Sequence, residues 1–316
     1  MPPAGFPMES LMTMSLKQFV SEKKLGLILR AFARKPEQVS DQVAMLEGVI
    51  DRALRNYVVS NGRRQHIPIL VDIMVWADDR FSGQADYGST ASALRKEFCH
   101  IQNLRVTEVK HGDLFCGLLN YGVARQIRSG CDYTVIASKE AASYWNQETF
   151  DAMVEACCLG ARATGVATNE LAQSVLEGRL ANTFCMWKNI DLVSVGGFDL
   201  RAAKPADDRS AFYMRGWDER QGDVYYQLAG VEEIIPLARL VETFGPCIAP
   251  IVPRGAGVQR YKVPDPVRDP ELWRRHVAKM GTKYERQVAL LSQIGKDLSF
   301  LKGGVMPTYR RIETAA

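Results

Sequence analysis

The sequence has no Cys-x-x-Cys pair, no Gly-x-x-x-x-Gly-Lys loop and no Gly-x-Ser-x-Gly elbow. These absences exclude paired-cysteine metal and redox sites, P-loop phosphoryl transfer and the serine-hydrolase elbow in turn. Only four histidines occur (His66, His100, His111, His276), and none has zinc-ligand spacing to another. Gly255-Ala256-Gly257 lacks the third glycine of a dinucleotide fingerprint and follows a strand without opening a helix, so a Rossmann cofactor site is not expected. The longest apolar run, 67–77, is interrupted by Asp72 and is too short to cross a bilayer. The first 16 residues lack the basic start and apolar run of a signal peptide. The seven cysteines are odd in number, and most lie among apolar neighbours, which points to buried free thiols in a reducing compartment. The expected setting is cytoplasmic.

What is present is an ordinary globular composition: 316 residues, 47% hydrophobic and 24% charged, enough for a full core and one appended module. The net charge of +4 is too weak to argue for nucleic acid. Its distribution is uneven, because residues 254–316 carry 13 Lys and Arg against 6 Asp and Glu. A nearly neutral body is followed by a basic tail.

Along the chain, residues 1–20 read as a leader. Buried-strand patterns at 25–29, 67–76, 104–109 and 133–137 alternate with helical periodicity at 37–57, 90–98 and 116–128. Alternation of this kind builds a parallel sheet with helices on both faces. Asn61-Gly62 marks a turn. A helix reaching about Leu159, strands near 161–167 and 183–187, a glycine turn at 195–199, a helix at 231–244 and a strand at 247–252 complete the body. The polar stretch 201–222 reads as one long loop, of the length that is usually functional. Proline-rich 253–270 reads as a linker, and 271–301 as a basic helix broken at Gly281 and Gly295. The expected division is a leader (1–20), an α/β body (21–253) and a basic C-terminal extension (254–316).

Open α/β sheets bind ligands beyond the carboxyl ends of their strands, so carboxylates there are the informative residues. Asp78-Asp79 follows the second long strand, where paired acids either bind a nucleoside or cap a helix. The order of features resembles the large inverting family of nucleotide-sugar glycosyltransferases with the A-type (GT-A) fold. The resemblance spans residues 24–253. Residues 27–34 lie where that family has its first strand and the loop under the base, which includes Ala31 and Phe32. Asp78-Asp79 matches the family's pair at the nucleoside. Asn120-Tyr121-Gly122 and the strand 133–137 match its Asn-x-Gly helix and the strand leading to the metal motif. Val195-Gly196-Gly197-Phe198-Asp199 is similar to its acceptor-side turn, and Glu232-Glu233 to the acidic pair opening the helix of the catalytic base.

One departure stands out. The family's Asp-x-Asp, which holds Mg²⁺ or Mn²⁺ on the donor diphosphate, is replaced by Ser138-Lys139-Glu140. A lone carboxylate at Glu140 is a poor site for a hard divalent cation. Either Lys139 or an arginine of the following loops (Arg209, Arg215, Arg220) supplies the missing positive charge, or the site is inactive and the fold serves binding or scaffolding.

The resemblance implies a nucleotide-diphosphate sugar as donor and a hydroxyl acceptor, with Glu233 as base and Glu232 as the second choice. Asp78, Asp79, Asn120, Ser138, Lys139 and Glu140 would sit on the donor side. Gly196, Gly197, Phe198 and Asp199 would sit by the sugar or acceptor, with Trp187 or Trp217 available for stacking. Arg274, Arg275, Lys279, Lys283 and Arg286 form a basic helical face. That face either meets a phosphate-bearing acceptor or packs its apolar side on the body or on a second copy of the chain.

Overall fold

The computed structural model describes residues 14–31, 38–60, 63–76, 87–110, 115–143, 145–166, 179–180, 183–203, 213–218, 222–227, 231–252, 265–268 and 270–310. The protein is a mixed α/β structure around one seven-stranded, mostly parallel sheet flanked by helices. In chain order its strands are β1 (Leu25–Ala31), β4 (Ile69–Trp76), β5 (Leu104–Val109), β6 (Tyr133–Ala137), β7 (Ala163–Val166), β8 (Phe184–Lys188) and β11 (Ile248–Ile251). They lie side by side in the order β11-β7-β8-β6-β1-β4-β5. All neighbours are parallel except β8, which runs against both β6 and β7.

Side chains alternate across the sheet, and the two faces build two cores. Leu25, Leu27 and Leu29 of β1, with Val71, Ile73 and Val75 of β4, meet the helices α1 (Leu16–Glu22), α2 (Val39–Leu54), α3 (Tyr87–Glu97) and α5 (Gln147–Cys158). Ile28, Met74, Ile136 and Trp187 face the other way. They meet α4 (Cys116–Arg128), α6 (Asn189–Ser194) and α7 (Ile234–Phe244). Gly122 lets α4 settle on β1, since a Cβ there would lie 2.6 Å from Ile28 Cδ1.

Several boundaries differ from the sequence expectation. The helix expected over 37–57 ends at Leu54, because Tyr57–Ser60 (β2) pairs antiparallel with Arg63–His66 (β3) around the expected Asn61-Gly62 turn. That turn itself lies outside the described residues. The stretch 201–222 is not one loop. Its second half forms β9 (Tyr213–Asp218), paired antiparallel with β10 (Gly222–Gln227). Its strand-forming residues are mostly aromatic (Tyr213, Trp217, Tyr225, Tyr226), so a count of aliphatics understates it.

The C-terminal helix α8 (Pro270–Gln293) runs through Gly281 without a break. One interior glycine costs about 1 kcal/mol relative to alanine, and the burial of Leu290 and Leu291 against the body outweighs it. Part of the expected leader is also ordered. Ser15 forms a capping box with Gln18 at the start of α1, and Phe19 is buried against the Tyr133 ring.

The basic extension shares the core of the body. Leu301 of α9 (Leu298–Gly303) packs with α7, and Met306, just before α10 (Pro307–Arg310), joins the opposite core. The backbone of 304–306 adds to β11 through Cys247 N–H to Gly304 O at 2.9 Å and Met306 N–H to Ile248 O at 2.9 Å. All seven cysteines are free, six of them buried and Cys99 exposed. Among the described residues, no helix is long and apolar enough to cross a membrane.

Candidate functional site

The chain path assigns the crevice. From β1 it moves outward to β4 and β5, then returns to place β6 on the other side of β1. The order therefore reverses between β1 and β6, and the space beyond their carboxyl ends is where such sheets bind ligands. Leu29 pairs with Ala137, so Ala31 and the 138–139 backbone end side by side at this switch point. Ser138 is buried, and its hydroxyl has no hydrogen-bond partner among the described residues. Lys139 begins a short 3₁₀ turn, Lys139–Ser143, and is half-buried. The backbone of Glu140 lies in this turn, but its side chain is outside what is described. Phe32, Asp78 and Asp79 also lie outside the described residues, as do Arg209 and Arg220.

Helices that precede parallel strands point their amino termini toward the same end of the sheet, and α7, leading into β11, does so. Glu233 is its N-cap residue, and Glu232 precedes it. Both side chains are buried, Glu233 to 2% exposure. The apolar pair Ile234-Ile235 is drawn fully into the core and takes the acids with it. Burial raises the proton affinity of Glu233 above the usual carboxylate range. The Lys283 ammonium works against that rise, and the neighbouring charge of Glu232 adds to it. Lys283 Nζ, on α8, lies 3.8 Å from Glu233 Oε1.

Two buried thiols report on what surrounds the acids. Cys116, at the start of α4, is pushed up by burial and by the charges of Glu232, Glu233 and Asp199, against the opposing pull of Arg30. Cys185 of β8 is pushed up to about 12, chiefly by burial; the Trp187 hydrogen bond and Arg30 pull it down, and Glu233 pushes it further up. The acids, the two thiols, Arg30 and Asp199 are therefore gathered at the same end of the sheet.

The glycine turn is fastened beside them. Gly196 and Gly197 have φ of 92° and 68°, a region closed to most side chains, and a Cβ on Gly197 would come within 2.6 Å of Asn120 Oδ1. The Asn120 amide donates to Phe198 O and accepts from Phe198 N–H, both at 2.8 Å, so it pins the turn to α4. Asp199 accepts from Arg201 Nε at 2.9 Å and Nη2 at 2.7 Å, and Arg239 Nη2 lies at 3.3 Å. Its carboxyl titrates below the usual range, first because of the Arg201 hydrogen bond.

Trp187 is fully buried, edge-on to Phe198 with ring centroids 5.3 Å apart, and its indole N–H donates to Cys185 Sγ. It has no open face for a sugar, in contrast to the stacking role expected for it; its position on the inner strand β8 is the reason. Phe198 is buried with it. The side chain of Trp217 is outside what is described.

Three groups at this end of the sheet were not picked out by motif. Arg30, at the end of β1, lies over the Phe115 ring at 4.4 Å from its centroid, and Trp76 packs on the same ring at 5.8 Å. Phe115 caps α4 with φ of 90°, a strained value for a residue with a side chain. Arg179, which lowers the proton affinity of Glu233, donates to Gln287 Oε1 of α8 at 3.0 Å. Lys283 and Arg286 are visible in the sequence as members of a basic face, but both turn inward. Arg286 Nη2 donates to Arg201 O at 2.8 Å and Ala203 O at 2.6 Å, and its charge is felt by Glu232. Two of the five cations on that helical face thus meet groups of the protein itself.

Ser138-Lys139-Glu140 does not fit a divalent cation. The buried Ser138 hydroxyl is a single neutral oxygen, and a lysine stands beside the one carboxylate. Among the described residues, no cluster of three or more His, Cys, Asp or Glu side chains could hold a metal ion.

No protein-family model matches the chain, and a search of curated proteins finds no match. Among solved structures, it is similar to mannosyltransferase PcManGT from Pyrobaculum calidifontis in complex with GDP-Man and Mn²⁺. That likeness has a TM-score of 0.48 at 13% identity and covers 89% of this chain and 67% of the other.

Proposed function

We propose that the protein is a glycosyltransferase with an A-type fold that moves a sugar from a nucleotide-diphosphate donor to a hydroxyl acceptor with inversion. The observation that carries this reading is the convergence of Glu232-Glu233, the Gly196–Asp199 turn and the start of α4 at the carboxyl end of the sheet, from three separate stretches of the chain. Glu233 takes the acceptor hydroxyl proton as that oxygen attacks the anomeric carbon. The bond from the anomeric carbon to the diphosphate breaks, and its electron pair leaves on the phosphate oxygen. A buried carboxylate of raised proton affinity suits the base role, because a base works best when its pKa approaches the working pH. Asp78 and Asp79 are assigned to the nucleoside, Ala31, Phe32, Ser138 and Glu140 to the donor crevice, and Lys139 to the charge that develops on the leaving diphosphate. Glu140 is the one candidate metal ligand in this set, and no step is assigned to a metal.

The test is release of free nucleoside diphosphate from a panel of UDP- and GDP-sugars. Glu233→Gln is expected to lower turnover by about 10²- to 10⁴-fold, the usual contribution of a general base, with nucleotide binding retained. Calorimetry that detects neither UDP nor GDP binding, with or without Mn²⁺, would sink the reading. The second reading, an inactive binding or scaffold protein, is favoured by the substituted Asp-x-Asp. It predicts nucleotide binding without release of diphosphate from any donor.

A further inference from the structure

We propose that Lys283, carried by the C-terminal helix α8, is a positioning residue for the base: its ammonium keeps the Glu233 carboxylate available in charged form inside the fold. This inference rests on the base assignment just made for its role in turnover, but its physical content does not.

Glu233 is 2% exposed and sits next to a second buried acid, Glu232. Two adjacent carboxylates in an apolar setting do not both ionise unless positive charge is brought to them. None is available from α7 near its start, where the sequence reads Glu-Glu-Ile-Ile-Pro-Leu-Ala. The cations come from elsewhere. Lys283 reaches Glu233 at 3.8 Å from α8. Arg179 acts from the segment before β8, and Arg286 of α8 acts on Glu232. Cys116 on α4 feels the charge of both acids and Cys185 on β8 that of Glu233; both thiols also feel Arg30 of β1, and Cys116 feels Asp199 of the glycine turn.

These cations are not equivalent. Arg286 is committed to two backbone carbonyls and Arg179 donates to Gln287. Lys283 is in ion-pair contact with Glu233 itself, and its side chain is 26% exposed. At 3.8 Å the contact is longer than a hydrogen bond. At that separation Lys283 acts on the carboxylate through its charge. The tail that reads as an appendage in the sequence would thereby complete the chemistry of the body.

The experiment is a pH titration of the Glu233 carboxyl by ¹³C NMR on the full chain labelled at glutamate, with the signal assigned by its loss in Glu233→Gln. In Lys283→Met the midpoint is expected to rise by roughly 1 to 3 pH units, the range for losing an adjacent opposite charge. Lys283→Arg is expected to return most of it. Lys283→Gln, which keeps a polar group of similar length, serves if the methionine variant does not fold. A Glu233 midpoint that stays at the wild-type value in the folded variant overturns the proposal. With an active donor in hand, the acid limb of kcat/KM should move up in Lys283→Met while donor KM holds. If no nucleotide binds, the glycosyltransferase reading falls, while the NMR titration still decides the role of Lys283.

Discussion

Two buried carboxylate clusters lie toward opposite ends of the same sheet, and they differ in how their charge is met. Toward the amino-terminal end, Asp72 of β4 is fully buried, with Arg105 Nε and Nη2 at 2.8 and 2.6 Å and Gln126 Nε2 at 2.6 Å. Arg105 continues to Ser129 Oγ at 3.0 Å, and Cys131 Sγ closes on Gln126 Oε1 at 3.0 Å. This carboxylate is held by a bidentate guanidinium and an amide in one locked geometry. At the carboxyl end, Glu233 shares a buried site with a like charge and meets Lys283 at 3.8 Å. In one cluster the cation is hydrogen-bonded to the acid through two nitrogens, and in the other Lys283 meets the acid by charge at a longer distance.

The comparison can be broken from either side. The largest stability effect is expected from Asp72→Ala, which leaves Arg105 and Gln126 without their shared acceptor. Removing one partner of a buried pair costs about 3 to 5 kcal/mol, and the partial exposure of Arg105 places this case near 3. Urea unfolding measures it, and nucleotide binding should be unchanged. A loss of binding in folded Asp72→Ala would mean that the two ends are not independent.

Asn120→Ala comes next. It removes both hydrogen bonds to Phe198 and leaves a part-buried donor and acceptor, for about 1 to 3 kcal/mol. Because it frees the glycine turn, it should also weaken any activity, which Asp72→Ala should do only through stability. Gly122→Ala should cost about 1 to 3 kcal/mol by overpacking Ile28. It would lift α4 from β1 and report whether the seating of α4 is felt at Cys116.

The smallest effect is the most diagnostic, because it has opposite signs at two acids of the same site. The Asp199 carboxyl titrates below its ordinary 3.8, so its contribution to stability is present above that value and is lost as pH falls through the depressed one. Glu233 titrates above its ordinary 4.5, so its contribution is present below 4.5 and is lost as pH rises through the raised value. Relative to wild type, Glu233→Gln should therefore gain Tm as pH increases, while Asp199→Asn should lose Tm near neutrality and recover toward wild type in acid. Thermal melts across the pH range would show the two trends crossing; parallel trends would remove the distinction drawn between the acids.

Much of the molecule was legible along the chain. The alternation of apolar runs and helical periodicity located the strands of the sheet, because a strand buried on both faces and a helix buried on one leave different patterns in the residues themselves. The paired glycines at 196–197 marked their turn for a similar local reason. The hairpin β9–β10 was missed because aromatic residues carried it, and the continuity of α8 through Gly281 was missed because packing outweighed propensity. The stacking role considered for Trp187 could not be judged by residue type. An indole suits a sugar face and a core equally, and the choice was made by the inner position of β8.

The amino-acid sequence by itself determined which segments could be strand or helix and which acids stood at their ends, since those depend on neighbours a few positions away. Tertiary structure alone decided that Asn120 would hold Phe198, 78 positions on, and that Lys283 would reach Glu233. Such contacts depend on how whole faces of α4, α7 and α8 bury their apolar side chains, and no local pattern of charges records that choice.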